Sequence, residues 1–369
     1  MTATAPDARA DRRLERVPAF DSLRAVAILL VLVLHLWAVF PLRGVRWSQA
    51  GFLGVDLFFV LSGFLITALL VQERRATGGV GIRRFYARRA LRLLPALAFF
   101  LTAYLVYGAT NDWPPFGRRD FAIDSIGATL LYVMNWRVLW NPLAAGDLTA
   151  LWSLSIEEQF YLVWPALLLG LVAWRRRLPA VAVVVGVAAV IVTVWRAIVF
   201  HTWGWQSAYL RTDCRIDGLL WGSLAALLWT SGRLPTRLPR WTTPAVIALW
   251  VVLLATVRAD HAWAYEGGIT LWVLSAAVLI VHFANQPERH GQGPLARATR
   301  AVGRVSYAGY LWQLPCLWAA ARWWPDWPVV LRAGAGVAMV VIGTVASWVL
   351  IERPALALKQ RAVSADRGG

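Results

Sequence analysis

The sequence predicts an all-α fold: a polytopic transmembrane helical bundle of about ten spans, with both termini cytoplasmic. Three observations carry this. Hydrophobic residues make up 59% of the 369 and the mean hydropathy is +0.56, whereas a soluble domain is nearer half apolar. Many windows of about 17–22 residues are almost free of charge, each long enough to cross roughly 30 Å of hydrocarbon. The apolar period is helical, and the short alternating strands of a β-barrel are absent.

Taken in order, spans are expected near 20–40, 52–71, 93–108, 155–173, 179–199, 217–231, 242–257, 268–284, 302–320 and 329–350. A shorter candidate around 121–136 contains Asp124, and charge decides its place. The net charge is +17, from 37 Lys and Arg against 20 Asp and Glu. In a soluble chain that excess suggests nucleic acid; in a membrane chain basic residues gather in cytoplasmic loops. Ten spans with the N-terminus inside put 24 of the 37 on the cytoplasmic side and nine outside. Making 121–136 a crossing gives 16 inside and 17 outside, which erases the bias. The segment therefore reads as an interfacial or re-entrant piece of the longest outer loop, 109–152.

The first 19 residues are polar and Arg-rich. No small-residue cleavage site follows the apolar run, so 20–40 reads as a retained helix rather than a signal peptide. The expected organisation is a polar cytoplasmic segment 1–19, one membrane domain 20–352 and a polar cytoplasmic tail 353–369. Cys214 and Cys316 show neither metal-ligand spacing nor a disulfide framework. No His/Cys/Asp cluster has ligand spacing either, so no metal is expected.

The first helix, FDSLRAVAILLVLVLHLWAVF, carries Asp21, Arg24 and His35. At about 100° per residue these three share a face, and His35 stands about 16 Å beyond Arg24. Ionisable groups at such depth are costly and turn to a bundle interior or a wet cavity. The plain reading is a packed histidine and an arginine reaching back to the surface. The functional reading is a general base, the commonest task of a histidine near neutral pH.

The second helix, GFLGVDLFFVLSGFLIT, sets Asp56 and Gly63 on one face, and Gly54, Ser62 and Gly63 permit close helix approach. The loop after it, QERRATGGVGIRRFYARRALRLLP, holds seven arginines with Phe85 and Tyr86 between them. Guanidinium forks suit phosphates and aromatic rings offer a stacking face, although any cytoplasmic loop can be this basic. In LWSLSIEEQFYLVWP, Ser155 and Glu158 fit a capping box at a helix start. Glu157 instead shares its face with Tyr161 and Trp164. Further on, RIDGLLWG places Arg215 and Asp217 at an outer boundary, where they can pair with each other.

These elements, with VGRVSYAGYLWQLP (302–315) and IERP (351–354), resemble in kind and order the membrane-bound acyltransferase-3 family. Its members move acyl groups onto hydroxyls of sugars, glycans and secondary metabolites. The resemblance runs from about residue 18 to 354. It rests on Arg24 and His35 with ten residues between them in the first helix, the Gly-Val-Asp-x-Phe-Phe-x-x-Ser-Gly-Phe run around Asp56, and Arg89-x-x-Arg92-x-x-Pro95. The remaining carriers are the Trp-Ser-Leu-x-x-Glu-x-x-Phe-Tyr signature around Glu157 and the Arg215-x-Asp217 element. One departure stands out: Gln313 occupies a place where the family commonly has histidine. Glutamine cannot be a base, but it can hydrogen-bond an acceptor hydroxyl.

The resemblance implies O-acyl transfer from acyl-CoA, in the simplest case acetyl-CoA, to an alcohol, with no tightly bound cofactor. His35 would take the hydroxyl proton, Glu157 would hold or charge-stabilise the imidazole, and Arg24 would stabilise developing charge or bind donor. Arg89 and Arg92 would hold CoA phosphates. Asp56, Tyr161, Arg215, Asp217 and Gln313 form a second rank of site residues. The implied acceptor is a cell-surface glycan, a lipid-linked sugar or a macrolide-like small molecule, met in the plasma membrane. Some members carry an extra hydrolase-like domain, which is not expected within these 369 residues. A different class, a proton-coupled transporter or flippase, also uses intramembrane His, Arg and Asp, but two related halves with broken helices are not evident here.

Overall fold

The computed structural model describes residue 14 and residues 17–40, 46–110, 119–175, 177–286 and 293–357. Among these the regular structure is helical throughout. The helices are α1 (Pro18–Val39), α2 (Leu53–Thr77), α3 (Ile82–Thr110), α4 (Arg119–Leu130), α5 (Met134–Trp140), α6 (Trp152–Arg175) and α7 (Leu178–Leu210). They are followed by α8 (Thr212–Arg215), α9 (Asp217–Thr230), α10 (Thr242–Thr256), α11 (Ile269–Ala284), α12 (Pro294–Arg304), α13 (Ser306–Trp323) and α14 (Val329–Ser347).

Among the described residues, seven helical segments are long and apolar enough to cross a bilayer: Pro18–Val39, Gln49–Thr77, Ile82–Thr110, Gly146–Arg175, Leu178–Leu210, Ala264–Ala284 and Val329–Ala357. The other three expected spans are helical but fall short of that standard. They are α9 with 14 residues, α10 with 15, and α13, which is 18 residues long but interrupted by Gln313, Pro315 and Arg322. The 121–136 segment is two short helices, α4 and α5, separated at Tyr132, whose φ is 54°. Twelve residues of α4 rise only about 18 Å, too little to cross. The fifth expected span runs on past residue 199 to a kink at Gly204, φ 82°, after which a short helical piece reaches Leu210. That left-handed conformation is open to glycine at no steric cost.

The described residues fall into two compact units. The first comprises those of Met1–Val31, Gln49–Val80 and Ile156–Gly303. Its centre is α2, of whose apolar window 78% is buried, against 22% for α7 and 28% for α1. Helices α9 and α11 pack on α2. Close approach is made by Gly63, whose missing Cβ would meet the Leu219 backbone, and by Gly222, whose Cβ would meet the backbone of Val60. On another side, Gly54 lies against Ala27 and Val31 of α1. This is the small-residue packing expected where lipid offers no hydrophobic drive between helices.

The second unit comprises the described residues of Leu32–Ser48, Gly81–Ser155 and Arg304–Gly369. Phe40, Cys316, Leu317, Ala320, Ala333 and Val340 form its core, flanked by Leu36, Val39 and Trp312. Trp312 also packs on Phe99 and Phe100 of α3. Cys214 of the first unit and Cys316 of the second are both free and buried.

Because Gly63 has backbone rather than a flexible side chain opposite it, Gly63→Val is expected to destabilise by about 1–3 kcal/mol through overpacking. Gly170, with open space around its Cβ position, is the control. Thermal unfolding of both variants in detergent checks the contrast.

Candidate active site

Among its described residues the first unit holds four fully buried charged side chains. Asp56 on α2, Arg215 at the end of α8, Asp217 at the start of α9 and Arg196 within α7 each have 0% exposure. The sequence allows Arg215 and Asp217 to pair with each other, but the structure gives each its own partner. Arg215 Nη2 donates to Asp56 Oδ1 at 2.8 Å, and Arg196 Nη1 donates to Asp217 Oδ2. Arg196 Nη2 also donates to Thr270 Oγ1 at 2.8 Å. Two residues separate Arg215 from Asp217 along the chain, which turns them about 200° apart on a helix and toward different neighbours. Arg196 is the member absent from the sequence-predicted set. Its signal was available: it is a single charge in the middle of the apolar run 179–199.

Glu157 sits one turn into α6 and accepts two hydroxyl hydrogen bonds at Oε1. One comes from Tyr161, four residues on, at 2.7 Å; the other comes from Ser62 of α2. The shared face read for Glu157, Tyr161 and Trp164 is present. Trp164 Nε1 donates to Thr67 Oγ1 at 2.8 Å, and Thr67 donates to Ser223 Oγ at 2.9 Å. Polar side chains of α2, α6 and α9 are thus linked turn by turn. The capping box is not formed. Helix α6 begins at Trp152, continuing a 3-10 segment Pro142–Leu151, so Ser155 is already inside the helix. Its hydroxyl donates to Leu151 O at 3.3 Å and accepts from Met134 N at 3.1 Å.

Arg24 is held near the start of α1 by Asp21, with Nη1 to Oδ1 at 2.9 Å. The face shared by those two residues is therefore realised as an ion pair.

In the second unit, Gln313 of α13 is the polar neighbour of His35. His35 Nδ1 is buried, and neither it nor the amide of Gln313 has another hydrogen-bond partner among the described residues. Gln313 itself has 0% exposure. Arg89 and Arg92 lie on the first three turns of α3, with Arg92 near Glu352. Glu352 belongs to the IERP element and accepts from Ser347 Oγ at 3.3 Å.

Two clusters in this unit were not foreseen. Tyr310 joins the SYAGYLWQLP element to the start of the LWSLS element, through Ser153 Oγ and the carbonyl of Ala150. Arg322 Nη2 donates to the fully buried Asp147 at 2.7 Å and to Tyr107 Oη at 3.3 Å. An arginine two residues past the expected span 302–320 was the available signal for the second.

Among the described residues, no three His, Cys, Asp or Glu side chains gather as a metal site would require.

The family model described as an acyltransferase domain, acyltransferase-3, matches residues 17–352. The chain is 30% identical over 316 residues to the peptidoglycan O-acetyltransferase OatA of Listeria monocytogenes, covering 82% of this chain and 49% of that one. It is 33% identical over 322 residues to the putative peptidoglycan O-acetyltransferase YrhL of Bacillus subtilis, with 82% and 48% covered. To the O-acetyltransferase OatA of Staphylococcus aureus it is 30% identical over 332 residues, with 84% and 53% covered. The chain thus spans about half the length of these curated relatives. No solved structure matches it.

Removing one partner of a buried pair leaves the other charge uncompensated, at a cost of about 3–5 kcal/mol. Arg196→Met is therefore expected to lower thermal stability sharply. Replacing both partners, Arg196→Met with Asp217→Leu, should recover most of the loss, and unfolding of the single and double variants checks it.

Proposed function

Since the chain belongs to the acyltransferase-3 family, we propose that it is an integral membrane O-acyltransferase, moving an acetyl group from acetyl-CoA to a hydroxyl of a cell-wall glycan. The observation that carries this reading is the imidazole of His35: on the last two turns of an apolar helix, its Nδ1 buried, with a neutral amide as its polar neighbour. The names of the relatives, peptidoglycan O-acetyltransferases, favour a peptidoglycan sugar as acceptor over a macrolide-like small molecule.

In this reading His35 accepts the proton of the acceptor hydroxyl as that oxygen attacks the thioester carbonyl. The carbon–sulfur bond then breaks, the acyl group stays on the acceptor oxygen, and the proton passes from the imidazolium to the departing CoA sulfur. Gln313 is the group placed to set the tautomer: an amide oxygen that took up Nδ1–H would leave Nε2 as the basic nitrogen. Glu157 contributes a carboxylate that favours the imidazolium, and Arg24 favours the oxyanion. Arg89 and Arg92, at the mouth of α3, bind CoA phosphates as forked donors. Asp56, Arg215 and Asp217 hold the scaffold through their buried pairs, and Tyr161 holds Glu157. The seven long spans and the three shorter helices make ten crossings of the plasma membrane, with both termini and the arginine loop in the cytoplasm, the compartment that supplies acetyl-CoA.

A transporter is disfavoured because the deepest charges of the first unit are locked in pairs, whereas a proton relay needs groups that exchange partners.

Purified protein given acetyl-CoA and soluble peptidoglycan fragments is expected to release CoA thiol in an acceptor-dependent way. His35→Ala should lower that rate by about 10²–10⁴, the usual worth of a general base. Gln313→Leu should lower it about tenfold, the size of one hydrogen bond. Movement of acceptor or acyl group across vesicles without thiol release would sink the enzyme reading.

A further inference from the structure

The first unit has a lateral cleft of about 190 Å³ where the ends of α2 and α6 meet the beginning of α7. Its floor is Leu70, Val71 and Leu168, all at least 96% buried, and Leu169, Val172 and Leu178 form the walls. The other two lining residues are Arg74 and Arg75, and no carboxylate lines the cleft. The acyl-transfer reading uses none of these groups, and nothing below depends on it.

We propose that this cleft binds an anionic phospholipid of the arginine-rich leaflet, an acyl chain lying in the cleft and the headgroup phosphate held at Arg74 and Arg75.

Three features point to that ligand rather than to generic lipid. The first is the change of lining along the cleft, from apolar side chains to two guanidiniums, which matches the change from acyl chain to phosphate. The second is the beginning of α7, whose N-cap residue Arg177 makes no side-chain capping bond. Leu178, its first residue, lines the cleft, so the positive end of the helix dipole lies beside it. The third is depth. Trp174, 65% exposed, follows the lining residue Val172 by two positions, with the Arg175 guanidinium 3.8 Å from its ring centroid. An exposed tryptophan of a membrane helix marks the headgroup level, so the two lining arginines lie where a phosphate would be. A zwitterionic headgroup presents the same phosphate but adds a cation next to the arginines; an anionic one does not.

The test uses the full chain in detergent, with binding of phosphatidylglycerol and phosphatidylcholine of matched chains read by native mass spectrometry. The wild type is expected to hold one equivalent of phosphatidylglycerol more tightly than phosphatidylcholine. Arg74→Gln with Arg75→Gln should weaken phosphatidylglycerol by about fivefold per arginine and leave phosphatidylcholine nearly unchanged. Leu169→Trp, which fills the cleft without altering charge, should weaken both lipids. Unchanged elution volume and melting temperature show that the variants are folded, and charge-conserving Arg74→Lys with Arg75→Lys, expected to retain binding, serves if the glutamine pair does not fold. Equal binding of the two lipids by the wild type overturns the proposal, as does undiminished phosphatidylglycerol in the glutamine pair. Displacement of the lipid by acyl-CoA, with loss of acyl-CoA binding in the same variants, also overturns it and gives the cleft to the donor.

Discussion

Much of the first unit is arranged around one constraint: α2 lies inside protein, so the polar side chains along its middle are met by neighbouring helices. Asp56 is answered by Arg215, Ser62 by Glu157 and Thr67 by Trp164 and Ser223. In an apolar interior a carboxylate or hydroxyl without any partner would cost several kcal/mol. The same constraint accounts for the glycines. Hydrogen bonds of this length between α2 and α9 require the backbones to come close, and Gly63 and Gly222 remove the Cβ atoms that would hold them apart. Packing and polar pairing are two sides of a single requirement here.

The requirement also links structure to chemistry. Ser62 and Glu157 belong to different sequence elements, Gly-Val-Asp-x-Phe-Phe-x-x-Ser-Gly-Phe and Trp-Ser-Leu-x-x-Glu, and the hydrogen bond between them explains why both patterns occur in one chain. Tyr310 does the same in the second unit, tying the Ser-Tyr-x-x-Tyr element to Ser153 and Ala150 at the start of α6. Residues that look like separate motifs along the chain are in each case two halves of one contact.

Much of the fold was legible because a membrane span announces itself by composition, and all ten expected apolar segments are helical. What composition could not supply is thickness. Helices α9 and α13 are largely enclosed by protein, so neither length nor hydropathy is imposed on them by lipid, and α13 accommodates Gln313, Pro315 and Arg322. The capping box at Ser155 misled for a local reason. The 3-10 segment before it winds directly into α6, so the helix needs no new start there. Two faces read within one helix are present as contacts, Asp21 with Arg24 and Glu157 with Tyr161. Partners from distant helices were not readable, because helical spacing gives a direction and not what lies in that direction. Arg196 shows this most plainly: visible as a charge in an apolar run, it had no identifiable counterpart until Asp217 was placed beside it.

The partners also sort the buried ionisable groups into two kinds. Asp56, Arg196, Arg215 and Asp217 face opposite charges, and such a pair strongly resists any change of protonation, since neutralising one member strands the other. These groups suit a scaffold. His35 and Glu157 face neutral dipoles instead: an amide in the first case, two hydroxyls in the second. A dipole can support either state of its neighbour by rotating a hydroxyl or presenting the other end of an amide. A group with such company can gain or lose charge during a reaction without leaving a buried ion uncompensated. That company suits His35 and Glu157 to the chemistry proposed for them, and the more conspicuous buried ion pairs to the scaffold.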